Sequence, residues 1–281
     1  MSIEGMTSST VESARDVLRQ RYRDPEIGVP DQWNPVLQVL HGHRSVRRYL
    51  DEPVSDATLR VLVSAAQSAA TSSNLQVWSV IAVRDPQRRA RLAELAGGQE
   101  HIVQAPVLLV WTADFGRLRQ LADDRGVPLE GADYLESSYV GFVDAALAAQ
   151  NAVVAAESLG LGTVFIGALR NRPEEVAALL SLPQQVFAAF GLVVGHPDPA
   201  EQAGVKPRLP QRAVLHHETY DPAPQLAAIA DYEQRVADYY AEQRLQHSWT
   251  ARVLARLGSG ATLSGRHRLR EALGNQGFRL H

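Results

Sequence analysis

The stretch from Tyr139 to Leu161 constrains the fold more than any other part of this 281-residue chain. It is apolar, rich in alanine and close in length to a membrane span. It nonetheless carries Asp144, Gln150, Asn151 and Glu157, groups that are costly in hydrocarbon. A buried helix of a water-soluble protein is the better reading. Helices that are apolar around most of their circumference are usually covered on all sides. Gly141, Ala145, Ala148, Ala149 and Ala152 are small enough to let a second helix approach closely. That neighbour can belong to the same chain or to a second copy, and periodicity leaves both open. The spacing predicts a helix from about Ala132 to Leu159, closed by Gly160 in a left-handed cap.

Around this helix the pattern alternates. Asn34-Pro35 starts a helix through Leu40, and Leu59, Leu62, Val63 and Ala66 give helical spacing over Asp56 to Ala69. Helices are also expected over Pro86 to Leu95, after Asp114, and from Ala223 to Arg244, where Leu226, Ile229, Ala230, Val236 and Ala237 are the apolar positions. Val77 to Val83, Val107 to Trp111, Val164 to Ile166 and Phe190 to Val194 read as short buried strands. Alternation of this kind argues for α/β or α+β architecture. Residues 1–33 read as a helical extension, in which Ser9-x-x-Glu12 is a capping box opening a helix to about Tyr22. Residues 34–281 read as one domain, ending in a C-terminal arm over about 221–281.

Composition removes several classes of function. With no cysteines, disulfides, thiolate nucleophiles and cysteine-ligated metal centres are excluded. A net charge of -3 disfavours nucleic-acid binding driven by overall charge, and charged residues at only 21% make global disorder a poor reading. The N-terminus lacks a cationic start followed by an apolar run, so no signal peptide is expected. The expectation is a cytoplasmic protein without membrane or nucleic-acid partners. His216-His217-Glu218 does not read as a metal site, because adjacent histidines on an extended strand point to opposite faces.

Two basic clusters carry most of the chemistry: His43-Arg44-Ser45-Val46-Arg47 and Lys206-Pro207-Arg208-Leu209-Pro210. Guanidinium forks and a lysine point charge suit phosphate oxygens. Asp51 and Glu52 follow the first cluster and could neutralise it, so that motif alone does not decide. Prolines 207 and 210 stiffen the second cluster. Between the clusters lie a polar turn, Thr71-Ser72-Ser73-Asn74-Leu75-Gln76, then Gly97-Gly98-Gln99, then Leu159 to Gly167 with its three glycines.

This ordered set resembles the nitroreductase superfamily, and most closely its NADPH-dependent flavin reductase and oxygen-insensitive nitroreductase subgroup. The likeness runs from about Asn34 to Tyr220 and more weakly to Phe278. It implies an α+β fold with a central mixed β-sheet flanked by helices, in an intertwined homodimer with FMN at the subunit interface. It assigns FMN contacts to His43, Arg44, Ser45 and Arg47, to Thr71, Ser73 and Gln99, to Phe165, Ile166, Gly167 and Ala168, and to Lys206 and Arg208. Close relatives often have glycine where this chain has Ala168, which the site tolerates if φ there is negative.

The resemblance further implies ping-pong hydride transfer from NADPH, with NADH possible, to small-molecule acceptors: nitroaromatics, quinones or free flavin. No side chain is assigned a catalytic role, since the flavin carries the chemistry. Arg266, Arg244 and Asn74 are assigned to the nicotinamide nucleotide or substrate. Two alternatives stay open. One is a related reductase of different specificity, such as a reductive dehalogenase. The other is an FMN-binding regulatory protein without turnover, with Arg252, Arg256, Arg266, Arg268 and Arg270 as a nucleic-acid patch.

Overall fold

The computed structural model describes residues 8–24 and 27–281, with side chains from residue 12 onward in the first of these stretches. The Ser9 side chain of the expected capping box lies outside the described residues. In chain order the first elements are helices α1 (Ser8–Tyr22), α2 (Pro35–Gly42) and α3 (Asp56–Gln67), strand β1 (Trp78–Val83), helices α4 (Pro86–Leu95) and α5 (Glu100–Gln104), and strand β2 (Val107–Asp114). There follow α6 (Gly116–Arg125), α7 (Leu135–Ser158), β3 (Gly162–Ile166), α8 (Pro173–Leu179) and β4 (Val186–Gly195). The chain ends with α9 (Gln225–Glu242), α10 (Trp249–Leu257) and α11 (Leu269–Asn275). Two compact units result: Met1–Arg44 with Gln202–Ser259, and Ser45–Glu201 with Gly260–His281.

The second unit is built on a four-stranded sheet of order β1-β2-β4-β3. Every residue of β2 is buried, which explains a continuous apolar run where a half-exposed strand would alternate. Leu108 and Val110 pack with Leu92, Ile102 and Val176 on one face. Leu109 and Trp111 pack with Leu62, Ala148 and Ala152 on the other. Burial of each such large side chain stabilises by about 1.5–3 kcal/mol.

All three strand pairs are antiparallel, so the sheet is not the mixed one that the resemblance implied. The reason lies in the connections. The long helix α7 returns the chain so that β3 runs in the direction of β2, but β4 is inserted between them and runs opposite to both. Among the described residues the parallel contact is the isolated bridge between Ser45 and Thr163.

The small face of α7 is used within the chain. Ala145, Ala148, Ala149 and Ala152 are fully or almost fully buried. A Cβ at Gly141 would lie 2.9 Å from the Phe115 ring and 3.0 Å from Ala113, so the helix needs glycine to lie this close. Asn151 completes the join to α3 by donating from Nδ2 to the Ala65 carbonyl at 3.2 Å. Gly160 closes the turn after the helix with φ +78°, as expected. The short helices α5 and α8 were not foreseen, since five and seven residues carry too little periodicity.

The first unit rests on α9, which buries Ala228, Tyr232, Val236 and Tyr239. Leu226, an expected apolar position, is 80% exposed instead. Asn34 caps α2, its side chain accepting from the Leu37 N–H at 3.0 Å. Arg23 and Arg235 tie the end of α1 to α9: Arg23 pairs with Glu242, and Arg235 pairs with Asp24 at 3.0 Å.

The end of the chain is part of the second unit's core. Phe278 is 2% exposed and meets Phe115 and Phe187 edge to face at 6.2 and 6.3 Å. Phe278→Ala is expected to destabilise that unit by about 3–5 kcal/mol, the usual cost of deleting a buried aromatic ring. Urea denaturation followed by tryptophan fluorescence measures it, and a loss under about 1 kcal/mol would show the tail to be dispensable.

Candidate functional site

Arg21 organises the cations of the first unit. The residue is 5% exposed, and its guanidinium donates to three backbone carbonyls. Nε and Nη2 reach the His41 carbonyl at 3.1 and 2.8 Å, Nη2 also donates to the His43 carbonyl, and Nη1 reaches the Lys206 carbonyl at 2.8 Å. The Arg208 N–H returns a bond to the Arg21 carbonyl at 3.0 Å. The turn carrying His43 and Arg44 and the segment carrying Lys206 and Arg208 are therefore held by one residue, which sequence reasoning missed. One of three arginines in an N-terminal helix gives no signal of such a role.

Helix α9 secures the same segment. Tyr239 Oη donates to the Gly204 carbonyl at 3.1 Å and accepts from its N–H at 3.2 Å, and Tyr232 Oη donates to the Pro207 carbonyl at 3.3 Å. Lys206 Nζ sits 5.7 Å from the centre of the Tyr240 ring, a cation–π arrangement. Arg244, at the end of α9, is exposed with φ +58°.

In the second unit, Ser45 and Arg47 run beside β3. Val46 N–H donates to the Thr163 carbonyl at 2.9 Å, and Arg47 N–H to Glu201 Oε1 at 2.8 Å, leaving the Arg47 side chain exposed. The turn from Thr71 to Val77 has three non-glycine residues at positive φ: Ser73 at 49°, Asn74 at 56° and Gln76 at 53°. Such strain needs an external hold. Asp144 supplies it from α7. Its buried carboxylate accepts from Thr71 Oγ1 and from the N–H groups of Ser72 and Val77, each of the latter at 3.3 Å. Thr71 Oγ1 in turn accepts the Gln76 N–H at 2.9 Å, while Ser73 and Asn74 stay exposed. Asp144 was noticed in the sequence only as a group too polar for a membrane span.

Gln99 follows Gly97 and Gly98 at φ +81° and +77°, and its amide donates to the Ala96 carbonyl at 3.1 Å. Ile166 and Ala168 are buried, whereas Phe165 is 41% exposed and packs against Phe190. Ala168 lies in a short 3-10 turn and is not among the positive-φ residues, so the departure from glycine costs no strain.

Gly167 marks the meeting of two guanidinium groups. A Cβ there would lie 3.3 Å from Arg170 Nη2 and 3.8 Å from Arg266 Nη1. Arg266 is steered by its Nε bond to Asn171 Oδ1 at 2.9 Å, and Arg170 donates to the Ala189 carbonyl. Burial pulls Arg170 below the ordinary arginine value, and Arg266 adds to the shift. Arg170 also edges an apolar pocket of about 340 Å³ lined by Phe142, Phe187, Phe190, Leu269 and Leu273. Arg170, which sits beside Arg266, was not singled out in the sequence. Arg268 instead pairs with Glu271 at 2.8 Å, which detracts from a free basic patch.

Comparison with known proteins identifies the family. Residues 40–196 match the model of the nitroreductase family, and residues 206–281 match the model of the nitroreductase family C-terminal domain. A Bacillus subtilis protein named FMN reductase [NAD(P)H] is 43% identical over 249 residues, 88% of this chain and 99% of that protein. The chain belongs to the nitroreductase family. Within that family it is also 42% identical over 207 residues to the oxygen-insensitive NADPH nitroreductase of Salmonella typhimurium, covering 74% of this chain and 83% of that one. The solved structure of Bacillus megaterium NfrA2 superposes with a TM-score of 0.84 at 41% identity, covering 89% of this chain and all of that one.

Three histidines of this nitroreductase-family chain lie below their ordinary value of 6.5, each chiefly through burial. Arg47 adds to the shift at His101, Arg21 at His41 and Arg252 at His247, while Glu201 opposes it at His101. His101 Nε2 is buried without a hydrogen-bond partner. These groups fold as neutral rings, whereas the unfolded chain takes up protons near pH 6.5. Their contribution is therefore complete above that pH and is lost as pH falls through the folded values. Melting temperature is expected to drop between about pH 7 and about pH 5, less steeply in His101→Leu. Identical slopes for the two proteins would remove His101 from this account.

Proposed function

We propose that the chain is an FMN-dependent oxidoreductase that takes hydride from NADPH and reduces nitroaromatic, quinone or flavin acceptors. The observation that carries this reading is the joining of the His43–Arg44 turn and the Lys206–Arg208 segment through Arg21. It concentrates cations with fixed backbones, as a phosphate dianion needs. In our reading Lys206, Arg208, His43 and Arg44 of the first unit hold the flavin phosphate, and the family resemblance also assigns Ser45 and Arg47 of the second unit to FMN. Thr71, Ser73, Gln99 and the backbone of Phe165 to Ala168 hold the ribityl chain and ring. FMN, when bound, supplies the two-electron chemistry between nicotinamide and acceptor.

Arg266 and Arg170 frame Gly167 and favour the 2′-phosphate of NADPH over NADH, with Asn74 of the same unit as a further contact; the assignment of Arg244, in the first unit, rests on the family resemblance alone. The absence of cysteine and the use of a nicotinamide donor suit the cytoplasm. Anaerobic titration of the purified protein tests the assignment. A flavin spectrum bleached by NADPH and restored by a nitroarene is the expected result. Flavin that neither NADPH nor NADH bleaches would favour a binding protein instead. In the same assay Arg266→Ala should raise the NADPH KM about tenfold and leave FMN content unchanged.

The chain's assembly as a homodimer belongs to the same reading. Leu135, Tyr139, Val143 and Leu147 recur every fourth residue on α7 and are 61%, 67%, 39% and 44% exposed. An apolar stripe on the helix face opposite its small residues is a self-association surface. Leu147→Glu is expected to shift the protein from dimer to monomer in light scattering after size exclusion. A wild-type chain that elutes as a monomer would overturn the dimer.

A further inference from the structure

Arg21 lies outside both family-matched segments, residues 40–196 and 206–281, yet it grips two carbonyls of the first and one of the second. The Lys206 carbonyl accepts from Nη1 at 2.8 Å, and the His43 carbonyl accepts from Nη2. Those carbonyls point toward the fork of a residue that is only 5% exposed, so Arg21 does not present its own fork to a ligand. A second bond, from the Arg208 N–H to the Arg21 carbonyl at 3.0 Å, fixes Arg208 from the other side. Pro207 between them removes the freedom of φ. The register of Lys206 and Arg208 against His43 is thus set by one residue of α1.

We infer that Arg21 is a positioning residue for flavin phosphate, through which the N-terminal segment makes the chain select phosphorylated FMN over riboflavin. The inference rests on the flavin reading above. A fork with donors on three nitrogens can hold His41, His43 and Lys206 at once; an ammonium cannot reproduce that planar pattern. If Arg21 only supported the fold, its loss would weaken all flavins alike. If it positions the phosphate cations, its loss falls on FMN, because riboflavin lacks the phosphate.

The test compares dissociation constants for FMN and riboflavin, by flavin fluorescence quenching, in full-length wild type, Arg21→Met and Arg21→Lys stripped of flavin. Methionine keeps an apolar stem, and thermal melts establish that each variant is folded. Arg21→Met is expected to bind FMN about tenfold more weakly while riboflavin stays within about threefold of wild type, with Arg21→Lys between. Equal losses for both flavins, or an unchanged FMN-to-riboflavin ratio, overturn the positioning role alone. Should Arg21→Met not fold, the ratio in Arg21→Lys decides: lowered supports the role and unchanged overturns it. A wild-type chain that does not prefer FMN sinks the phosphate reading and this inference with it.

Discussion

The close approach of α7 to the sheet is the constraint on which the second unit depends. Alanine and glycine on one face let the helix backbone lie near β2, where a single added Cβ at Gly141 would collide with Phe115. That proximity does two things at once. It covers the second face of a strand buried on both sides. It also brings a carboxylate, Asp144, within reach of the strained turn that follows α3. A buried carboxylate is costly without donors, and a turn with three residues at positive φ is costly without a hold. Each supplies what the other lacks, so the geometry proposed to contact a flavin follows from core packing.

The arginines follow a second rule. Arg21, Arg89 and Arg117 all donate to backbone carbonyls as well as, or instead of, carboxylates: Arg89 to Val103 at 2.7 Å, Arg117 to Trp78 at 2.7 Å. Arg170 does the same at Ala189. Burial lowers both Arg89 and Arg170 from the ordinary value, yet the planar fork satisfies enough donors to keep the charge. A carbonyl carries only a partial charge. It fixes the geometry of a cation without cancelling it, whereas a carboxylate would do both. Arg21 is such a staple, and the backbone groups it holds are those of His41, His43 and Lys206.

The local parts of the structure were legible because their causes are local. The Asn34 cap, the helix from Pro86 and the left-handed Gly160 each depend on a few adjacent residues. The two basic clusters around His43 and Lys206 were likewise readable as sequence motifs. What could not be read are the contacts that join distant residues. Nothing in the spacing of Asp144 or Arg21 announces that one holds a turn more than 60 residues away and the other a segment 185 residues away. Direction within the sheet was lost for a similar reason. The strands were visible, but the insertion of β4 between β2 and β3 is a choice of topology, not of sequence pattern.

The first unit shows why an added N-terminal segment need not be ornamental. Phosphate binding by long flexible side chains loses entropy for every cation that must be ordered. Here much of that ordering exists before any ligand arrives: Pro207 restricts the backbone, Tyr240 lies under Lys206, and the Arg208 side chain is held by the carbonyls of Lys206 and Pro207 at 3.2 and 3.3 Å. Holding like charges together in the free protein costs stability, and the bonds from α1 and α9 offset that cost. A dianion bound there relieves the repulsion, so ligand and fold stabilise one another by mass action. On the proposed flavin reading, the helix that supplies Arg21 acts on the ligand only through the backbone groups that it holds.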